Sequence, residues 1–297
     1  MPTSKSKNLG GQFSYYLLNK FMETSIKKPS RVIVEITDKC NFLCKHCFAN
    51  KHDYELKVDS WVKIFNNICK KDIQSITITG GEPLLYKGLF ELLSKVKIRK
   101  TILTLDTNAS LINESNIKKI EKHFKKIRIS FYGLNRSWHA NTQSNAFDEE
   151  RFWQMLKLVS SSKLKVQVKI PLFANNVKNL YQILDKLREF NLYQIVLIPI
   201  IPEGKAKSLS GLITESQANK LLKQYPHKTS NMRVFKWSKG KHFLIRSNGN
   251  VVLHPPINKN DYVLGNVMDR DIDELWQIVP EKYKEINAKL TTDLSEM

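Results

Sequence analysis

Apolar, β-branched runs alternate with amphipathic segments along most of the 297-residue chain. Short Val- and Ile-rich runs bounded by polar residues are typical of buried parallel strands. The segments between them repeat apolar residues every three or four positions, which predicts helices. The predicted strands are 31–37, 73–79, 101–106, 126–132, 165–173 and 193–200, and the predicted helices are 57–71, 86–97, 113–125, 148–162, 176–190 and 214–224.

This succession of strand-then-helix units predicts an α/β fold with a parallel sheet. Eight such units would close a barrel, so six would leave it open. The alternation alone also permits a doubly wound sheet. A composition shift near residues 226–240 predicts a boundary. Beyond it, Asn248-Gly249 stands between two apolar runs, as in a β-hairpin, and a helix is predicted around 272–276.

Cysteines mark the end of the first predicted strand. Three of the four in the chain are Cys40, Cys44 and Cys47. Three thiolates on one loop can hold three irons of a [4Fe–4S] cube and leave the fourth iron open to another ligand. Zinc is the alternative, with His46 or His52 completing the site, but no second cysteine pair follows to form a usual structural zinc site. Disulfides are disfavoured because three crowded cysteines cannot pair evenly.

A second motif, Thr79-Gly80-Gly81-Glu82-Pro83, ends the second predicted strand. The two glycines allow a sharp turn and a close approach to a ligand. Glu82 offers a carboxylate to a cation, and Pro83 stiffens the exit from the turn. Taken alone, the same residues are also compatible with an ordinary turn between a strand and a helix. In a parallel sheet both motifs would lie at the carboxyl edge, where ligands bind.

Together and in this order, the C-x3-C-x2-C segment and the Gly80–Pro83 segment resemble the two signatures of the radical S-adenosylmethionine (radical SAM) superfamily. The resemblance implies a partial (β/α)6 barrel that carries one [4Fe–4S] cluster. It implies that S-adenosyl-L-methionine (SAM) chelates the open iron. The residues it assigns are Cys40, Cys44 and Cys47 to the cluster, and His46, Gly80, Gly81, Glu82 and Pro83 to SAM.

Three later segments also resemble parts of this family. Thr107-Asn108-Ala109 resembles its TNG turn, which would place Asn108 on SAM; an Asn-stabilised turn without a ligand is the alternative. Ile129-Ser130-Phe131-Tyr132-Gly133 resembles its iSlyG strand, in which Ser130 would contact the ribose, or would be a buried serine bonded to backbone. Pro202-Glu203-Gly204-Lys205-Ala206 resembles a P-x-G-x-A loop of peptide- and haem-modifying members, or is only a strand-ending turn.

The region after residue 225 resembles the C-terminal extension called SPASM, or its shorter twitch form. In those extensions a hairpin and a helix carry cysteines for auxiliary clusters. Here His254 stands where a cysteine is expected, and no cysteine follows Cys69. We therefore expect one cluster per chain. The predicted domains are an N-terminal helical segment (1–30), the barrel (31–225) and an extension without a cluster (226–297).

Composition adds a strong positive charge. The formal net charge is +20 and the isoelectric point is near 9.7, which predicts attraction to anionic partners. Nucleic acid is disfavoured because lysines far outnumber arginines, and lysine reads phosphates and bases poorly. An acidic electron donor, such as a flavodoxin or ferredoxin, or an acidic peptide fits better. No apolar run is long enough to span a membrane and no signal-peptide core is present, so a cytoplasmic protein is expected.

The resemblance implies an enzyme that cleaves SAM reductively into methionine and a 5′-deoxyadenosyl radical, which then takes a hydrogen atom from a substrate. The SPASM-like tail and the P-x-G-x-A-like loop favour maturation of a ribosomally made peptide. Biosynthesis of a small metabolite, such as a sugar, nucleoside or amino acid, is the alternative. A non-catalytic iron–sulfur protein is a third hypothesis, but it would need no SAM cradle. Epimerisation needs a thiol donor, and Cys69 is predicted to lie in the core.

Overall fold

The computed structural model describes residues 29–47, 55–98, 100–142, 148–202, 204–236, 242–254, 262–282 and 285. The predicted N-terminal helix and His52 lie outside these residues, as does most of the chain after residue 282. Ten described strands form one sheet. They are β1 (Arg31–Thr37), β2 (Ser75–Gly80), β3 (Ile102–Thr107), β4 (Lys126–Ser130), β5 (Lys165–Leu172), β6 (Gln194–Pro199), β7 (Met232–Val234), β8 (His242–Ile245), β9 (Asn250–His254) and β10 (Val263–Asn266).

The helices lie between these strands in the chain. They are α1 (Val58–Lys70), α2 (Leu89–Lys95), α3 (Glu114–His123), α4 (Asn135–Thr142), α5 (Glu149–Ser160), α6 (Ala174–Val177), α7 (Leu180–Leu187), α8 (Glu215–Gln224) and α9 (Ile272–Gln277). Short 3-10 helices span Pro83–Leu85 and Gly204–Ser208. No helix among the described residues has both the length and the apolar character needed to cross a membrane.

The sheet is largely parallel, and its order distinguishes the two predicted folds. Strands β1 to β7 follow one another in chain order, each parallel to the next. A doubly wound sheet would reverse its order at a switch point, whereas a (β/α) barrel adds each strand on the same side. The mixed α/β fold is therefore confirmed, and the order agrees with an open, partial barrel.

Each of the six predicted strands and six predicted helices has a counterpart within a few residues of the predicted bounds. The amphipathic stripe of α1 shows why, since Trp61, Ile64, Phe65 and Ile68 all face the core. Helix α4 and strands β7 and β10 were not predicted. Helix α4 follows β4, where the polar sequence NRSWHANT gives little amphipathic signal, and β7 and β10 are only three and four residues long.

The two faces of the sheet differ in chemistry. Apolar residues on one face, such as Val34, Ile78 and Leu105, are fully buried. Alternate positions point to the opposite face, which carries polar and charged residues. There, Asp106 pairs with Arg128 and Lys169. This inner face is the lining of the partial barrel.

The predicted hairpin is confirmed. Strands β8 and β9 pair antiparallel around Asn248-Gly249, and Gly249 has the positive φ (86°) that such a turn requires. Strand β8 also pairs with β1 in parallel, so the C-terminal strands extend the same sheet. A buried ion pair between Arg246 and Glu35 (2.7 Å) reinforces this junction. The division of the chain into three domains stays a prediction.

Candidate cofactor site

The cysteine loop follows β1 and crosses the carboxyl edge of the sheet. Its backbone is held by α4, because the Leu43 N–H donates to the Thr142 carbonyl (2.9 Å) and the Lys45 N–H donates to that of Asn141 (3.0 Å). A tighter turn joins the Cys47 N–H to the Cys44 carbonyl (3.3 Å). The helix that was not predicted from sequence therefore shapes the loop that carries the cysteines.

Cys40, Cys44 and Cys47 are each partly buried. Burial raises the pKa of the Cys44 thiol to about 12, and the neighbouring Cys47 and Cys40 add to this rise. The Tyr132 hydroxyl lies beside the Cys44 thiol and partly offsets the rise in its pKa. Three soft sulfur donors on one loop suit an iron–sulfur cluster, whose binding would have to displace the thiol protons. In the described part of the chain, no three His, Cys, Asp or Glu side chains already stand at metal-binding spacing.

His46 faces aromatic rings inside the fold. Its ring centroid lies 5.7 Å from that of Tyr132 and 5.3 Å from that of Phe173. Burial lowers the pKa of His46 to about 4, with a smaller contribution from Lys169. Its Nδ1 atom is buried and has no hydrogen-bond partner among the described residues. The side chain is thus a neutral ring with a free polar atom, which a bound molecule could satisfy.

Gly80 and Gly81 pack directly against the start of the cysteine loop. A Cβ atom on Gly80 would stand 2.2 Å from the Thr37 carbonyl oxygen, and one on Gly81 would stand 2.1 Å from that of Lys39. The Gly81 N–H donates to the Thr37 carbonyl (2.8 Å) and the Glu82 N–H to that of Lys39 (2.8 Å). The close approach that these glycines allow is therefore to the backbone of the first motif. Their role toward SAM stays a prediction.

Glu82 is fully buried between the ends of β2 and β3. Its carboxylate accepts hydrogen bonds from the Thr107 hydroxyl (2.8 Å), the Asn108 N–H (2.8 Å) and the Leu84 N–H (3.1 Å). Burial raises the pKa of Glu82 to about 7, although the Asn108, Thr107 and Leu84 hydrogen bonds oppose the rise. Pro83, which follows it, begins the short 3-10 helix and is also buried. Glu82 thus ties two strand ends together.

The Asn108 side chain links the third strand to the cysteine loop. Its amide donates to Asn41 (2.9 Å), and its Oδ1 accepts from the Ser110 N–H (3.0 Å) and hydroxyl (2.6 Å). These contacts match the Asn-stabilised turn that was the alternative to a SAM contact. Ala109 follows in a left-handed conformation (φ 66°), the conformation for which glycine is preferred.

Ser130 ends β4 and is half-buried, and its hydroxyl lies beside that of Tyr132. The cysteine loop, His46 and Ser130 therefore meet at Tyr132, whose side chain is buried. In the sequence, Tyr132 stands out only as part of the iSlyG-like segment. Its position two residues after Ser130, on the same face of an extended chain, was the available signal.

Beneath this site the inner face of the sheet carries a cluster of charges. Asp106 pairs with Arg128 and also with Lys169, whose Nζ lies 2.9 Å from the Asp106 carboxylate. Burial lowers the pKa of Lys126 to about 8, with Arg128 adding to the effect, and burial also lowers that of Lys169 and of Arg31. This cluster of charges was not predicted. Its signal in the sequence was a charged residue in each of three otherwise apolar strands, namely Asp106, Arg128 and Lys169.

The P-x-G-x-A-like segment also reaches the cysteine loop. The Lys205 N–H donates to the Cys47 carbonyl (3.2 Å), and Ala206 is fully buried. A cavity of about 470 Å³ lies between the two segments, lined by Leu43, Cys44, Lys45, Lys205, Ser208 and Leu209. His139, on α4, is exposed. The side chain of His254 lies outside the described part of the structure.

The fold and site define a parallel α/β protein with a cysteine loop at its carboxyl edge. The sequence profile of the Radical SAM superfamily matches residues 34–187, from β1 to the end of α7, and the chain belongs to that superfamily. Membership implies SAM and a [4Fe–4S] cluster. It therefore agrees with the resemblance found in the sequence.

The relatives include enzymes that act on peptides and on a nucleotide. The chain is 24% identical over 212 residues to a GTP 3′,8-cyclase of Clostridium perfringens. The matched region makes up 64% of this chain and 61% of that protein. It is 21% identical over 167 residues to a PqqA peptide cyclase of Granulibacter bethesdensis. That match makes up 54% of this chain and 45% of the relative. The chain thus spans less than two thirds of the length of these relatives.

Solved structures share the fold over more of the chain. The crystal structure of Streptococcus suis SuiB bound to precursor peptide SuiA superposes with a TM-score of 0.71. The match covers 93% of this chain and 71% of that one, at 16% sequence identity. At such low identity the similarity establishes the fold alone.

Proposed function

We propose that this protein is a radical SAM enzyme that modifies a ribosomally made peptide. Cys40, Cys44 and Cys47 would hold one [4Fe–4S] cluster. SAM would bind beside it, near His46, Gly80, Gly81, Glu82, Pro83, Asn108 and Ser130. When bound, the cluster and SAM supply a 5′-deoxyadenosyl radical that removes a hydrogen atom from the substrate.

One observation carries this proposal. The backbone of the Gly80-Gly81 turn lies directly on that of Thr37–Lys39, which leads into the cysteine loop. The two family motifs therefore form one surface, as a cluster with an adjoining SAM cradle requires. The unpartnered Nδ1 of His46 lies in the same region, where a bound molecule could satisfy it.

Each predicted SAM residue has a specific place in the proposal. Gly80 and Gly81 would set the position of the turn next to the cluster. Glu82 would hold that turn in place through its hydrogen bonds with Thr107 and Asn108. His46 would pack its ring on the nucleotide, and Tyr132 would orient the Ser130 hydroxyl. Burial of Tyr132 and Glu82 would keep water from a reactive radical.

The peptide substrate is supported by the fold shared with SuiB and by similarity to a peptide cyclase. A small phosphorylated metabolite is the second candidate, because a GTP 3′,8-cyclase is also similar. The inner face supports that candidate through Arg128 and Lys169, two cations that share the single carboxylate of Asp106. Candidate peptides or nucleotides can be added to the SAM-cleavage assay. The compound whose mass changes shows whether the substrate is a peptide or a phosphorylated metabolite.

The test is anaerobic reconstitution with iron and sulfide, followed by dithionite and SAM. We expect about four irons per chain and formation of 5′-deoxyadenosine, which liquid chromatography detects. Cys44→Ala should lose both the cluster absorbance and the product. Cys69→Ala is the matched control, because Cys69 lies on α1, away from the cysteine loop, and should keep both.

A wild-type protein that binds one zinc would contradict the proposal, and so would a cluster that leaves SAM intact. The second outcome would instead support the non-catalytic iron–sulfur hypothesis. Equal loss in Cys44→Ala and Cys69→Ala would mean that cysteine replacement unfolds the chain. Circular dichroism of both variants without iron excludes that explanation before the assay is read.

A further inference from the structure

The proposed reaction begins when the cluster gains one electron from outside the protein, and this inference rests on that proposed function. The electron must arrive at the cluster through whatever covers the cysteine loop. The two sides of that loop differ. On the inner side the Cys44 sulfur meets Tyr132, and His46 packs on Tyr132 and Phe173.

The outer side is exposed. Leu43 and Lys45, the neighbours of Cys44 in the chain, point to solvent, and 46% of the Leu43 surface is exposed. Lys205, also exposed, faces them across the cavity of about 470 Å³. We name the five residues Leu43, Lys45, Lys205, Ser208 and Leu209 the outer lysine patch. Cys44 lines the same cavity, so a predicted cluster ligand borders this surface directly.

The patch combines apolar and positively charged side chains. Leu43 and Leu209 supply the apolar surface, and Lys45 and Lys205 supply two positive charges. No acidic side chain of the described residues lines the cavity. Weak electron-transfer complexes have small interfaces, and opposite charges on the two partners speed their encounter. The net charge of +20 would steer an acidic protein toward the molecule in the same way.

We propose that the outer lysine patch is the docking surface for an acidic electron-transfer protein that carries a flavin or an iron–sulfur cluster. The donor loses one electron and the cluster gains it, and no atom is transferred. A substrate peptide is the competing occupant. It is disfavoured because a reacting carbon must reach SAM, whose proposed residues Ser130 and His46 lie on the inner side of the loop.

The experiment compares two reductants on the reconstituted enzyme. SAM cleavage is driven either by a purified acidic flavodoxin, kept reduced by its reductase, or by dithionite, a small molecule that needs no docking surface. In Lys45→Gln/Lys205→Gln we expect flavodoxin-driven cleavage to fall about tenfold, because steering and docking both depend on charge. Dithionite-driven cleavage should stay within about twofold of the wild type. Lys119→Gln/Lys223→Gln removes two exposed lysines from α3 and α8 and should behave as the wild type with both reductants.

A second measurement does not depend on SAM chemistry. Binding of oxidised flavodoxin to the protein, followed by its flavin fluorescence, should weaken about fivefold or more in the patch variant and not in the control. Unchanged binding would overturn the docking proposal even if the wild type cleaved SAM. If the patch variant binds flavodoxin more weakly than the control but the wild type does not cleave SAM with dithionite, the proposed function alone is overturned.

Other outcomes also count against the patch. Equal loss with both reductants would mean that the lysines act on the cluster or on SAM. Equal retention with both would place the donor elsewhere. Leu43→Ser provides a variant without a charge change, and it should weaken flavodoxin binding while its dithionite-driven cleavage equals that of Lys119→Gln/Lys223→Gln.

Discussion

Ala109 has a left-handed backbone (φ 66°) in the turn that follows β3. An L-residue with a Cβ atom is disfavoured there by roughly 1–2 kcal/mol. The Ala109 N–H is nevertheless held by the Thr107 hydroxyl (2.9 Å), and the side chain is fully buried. The turn keeps its shape because its neighbours bond to Glu82 and Asn41, so the strain is held locally.

Ala109→Gly should therefore leave the free energy of unfolding within about 0.5 kcal/mol of the wild type, since relief of strain offsets both the lost burial of the methyl group and the added flexibility of the unfolded chain. Urea unfolding of the protein without its cluster measures this. Ala218→Gly is the matched control, because Ala218 is also fully buried but sits inside α8, where glycine should cost about 1 kcal/mol. Destabilisation of similar size in both variants would contradict the strain argument.

Glu82 gives the stability a specific pH dependence. Its pKa is about 7 in the folded protein, against an ordinary value of 4.5, because burial disfavours the charged form. Between these two values the folded state keeps a proton that the unfolded state has lost. The stabilisation from Glu82 is therefore complete below about pH 4.5 and is lost as the pH rises through about 7.

Replacing Glu82 with glutamine removes this titration. Relative to Glu82→Gln, the wild type should lose roughly 2–3 kcal/mol of unfolding free energy between pH 5 and pH 8.5. Urea titrations at several pH values give the difference. Glu189→Gln, at an exposed position, serves as the control and should show no comparable trend. A constant difference between wild type and Glu82→Gln would show that Glu82 is ionised throughout.

At the scale of elements, the C-terminal strands are joined to the barrel by a buried ion pair. Arg246, just after β8, meets Glu35 of β1 at 2.7 Å, and both side chains are less than a tenth exposed. A second contact joins α9 to α1, where Lys71 pairs with Asp271 (3.0 Å) and Asp273 (2.7 Å). The described residues after β7 are thus fixed to the barrel at two places.

Removing one partner of the buried pair deprives the other of a counter-charge only 2.7 Å away. Glu35→Leu and Arg246→Leu should each lower the free energy of unfolding by about 3–5 kcal/mol, whereas the double variant should recover most of the loss. Chemical unfolding of all three, with Glu285→Gln in the exposed Lys282–Glu285 pair as control, measures the coupling. Additive losses in the double variant would show that each residue acts through other contacts.

For the whole molecule, the sequence predicted the repeated strand–helix pattern well, because every central strand is an apolar run and every main helix has an apolar stripe. It did not predict the contacts between loops. That Gly80 packs on Thr37, and Asn108 on Asn41, depends on which strands are neighbours, and periodicity carries no such information. Helix α4 was missed because its residues are polar, and the pairing of Asp106 with Lys169 because it joins strands that are not neighbours in the sheet.

The contact between the two glycines and the backbone of Thr37–Lys39 has a consequence for how this chain can be recombined with its relatives. No side chain fits at either glycine, so the two loops share a single allowed spacing. A chimera that took only one of them from another enzyme would combine two surfaces shaped for different neighbours. Residues 31–83 would have to be exchanged as one cassette, and the boundaries of any designed hybrid belong before β1 and after the short 3-10 helix.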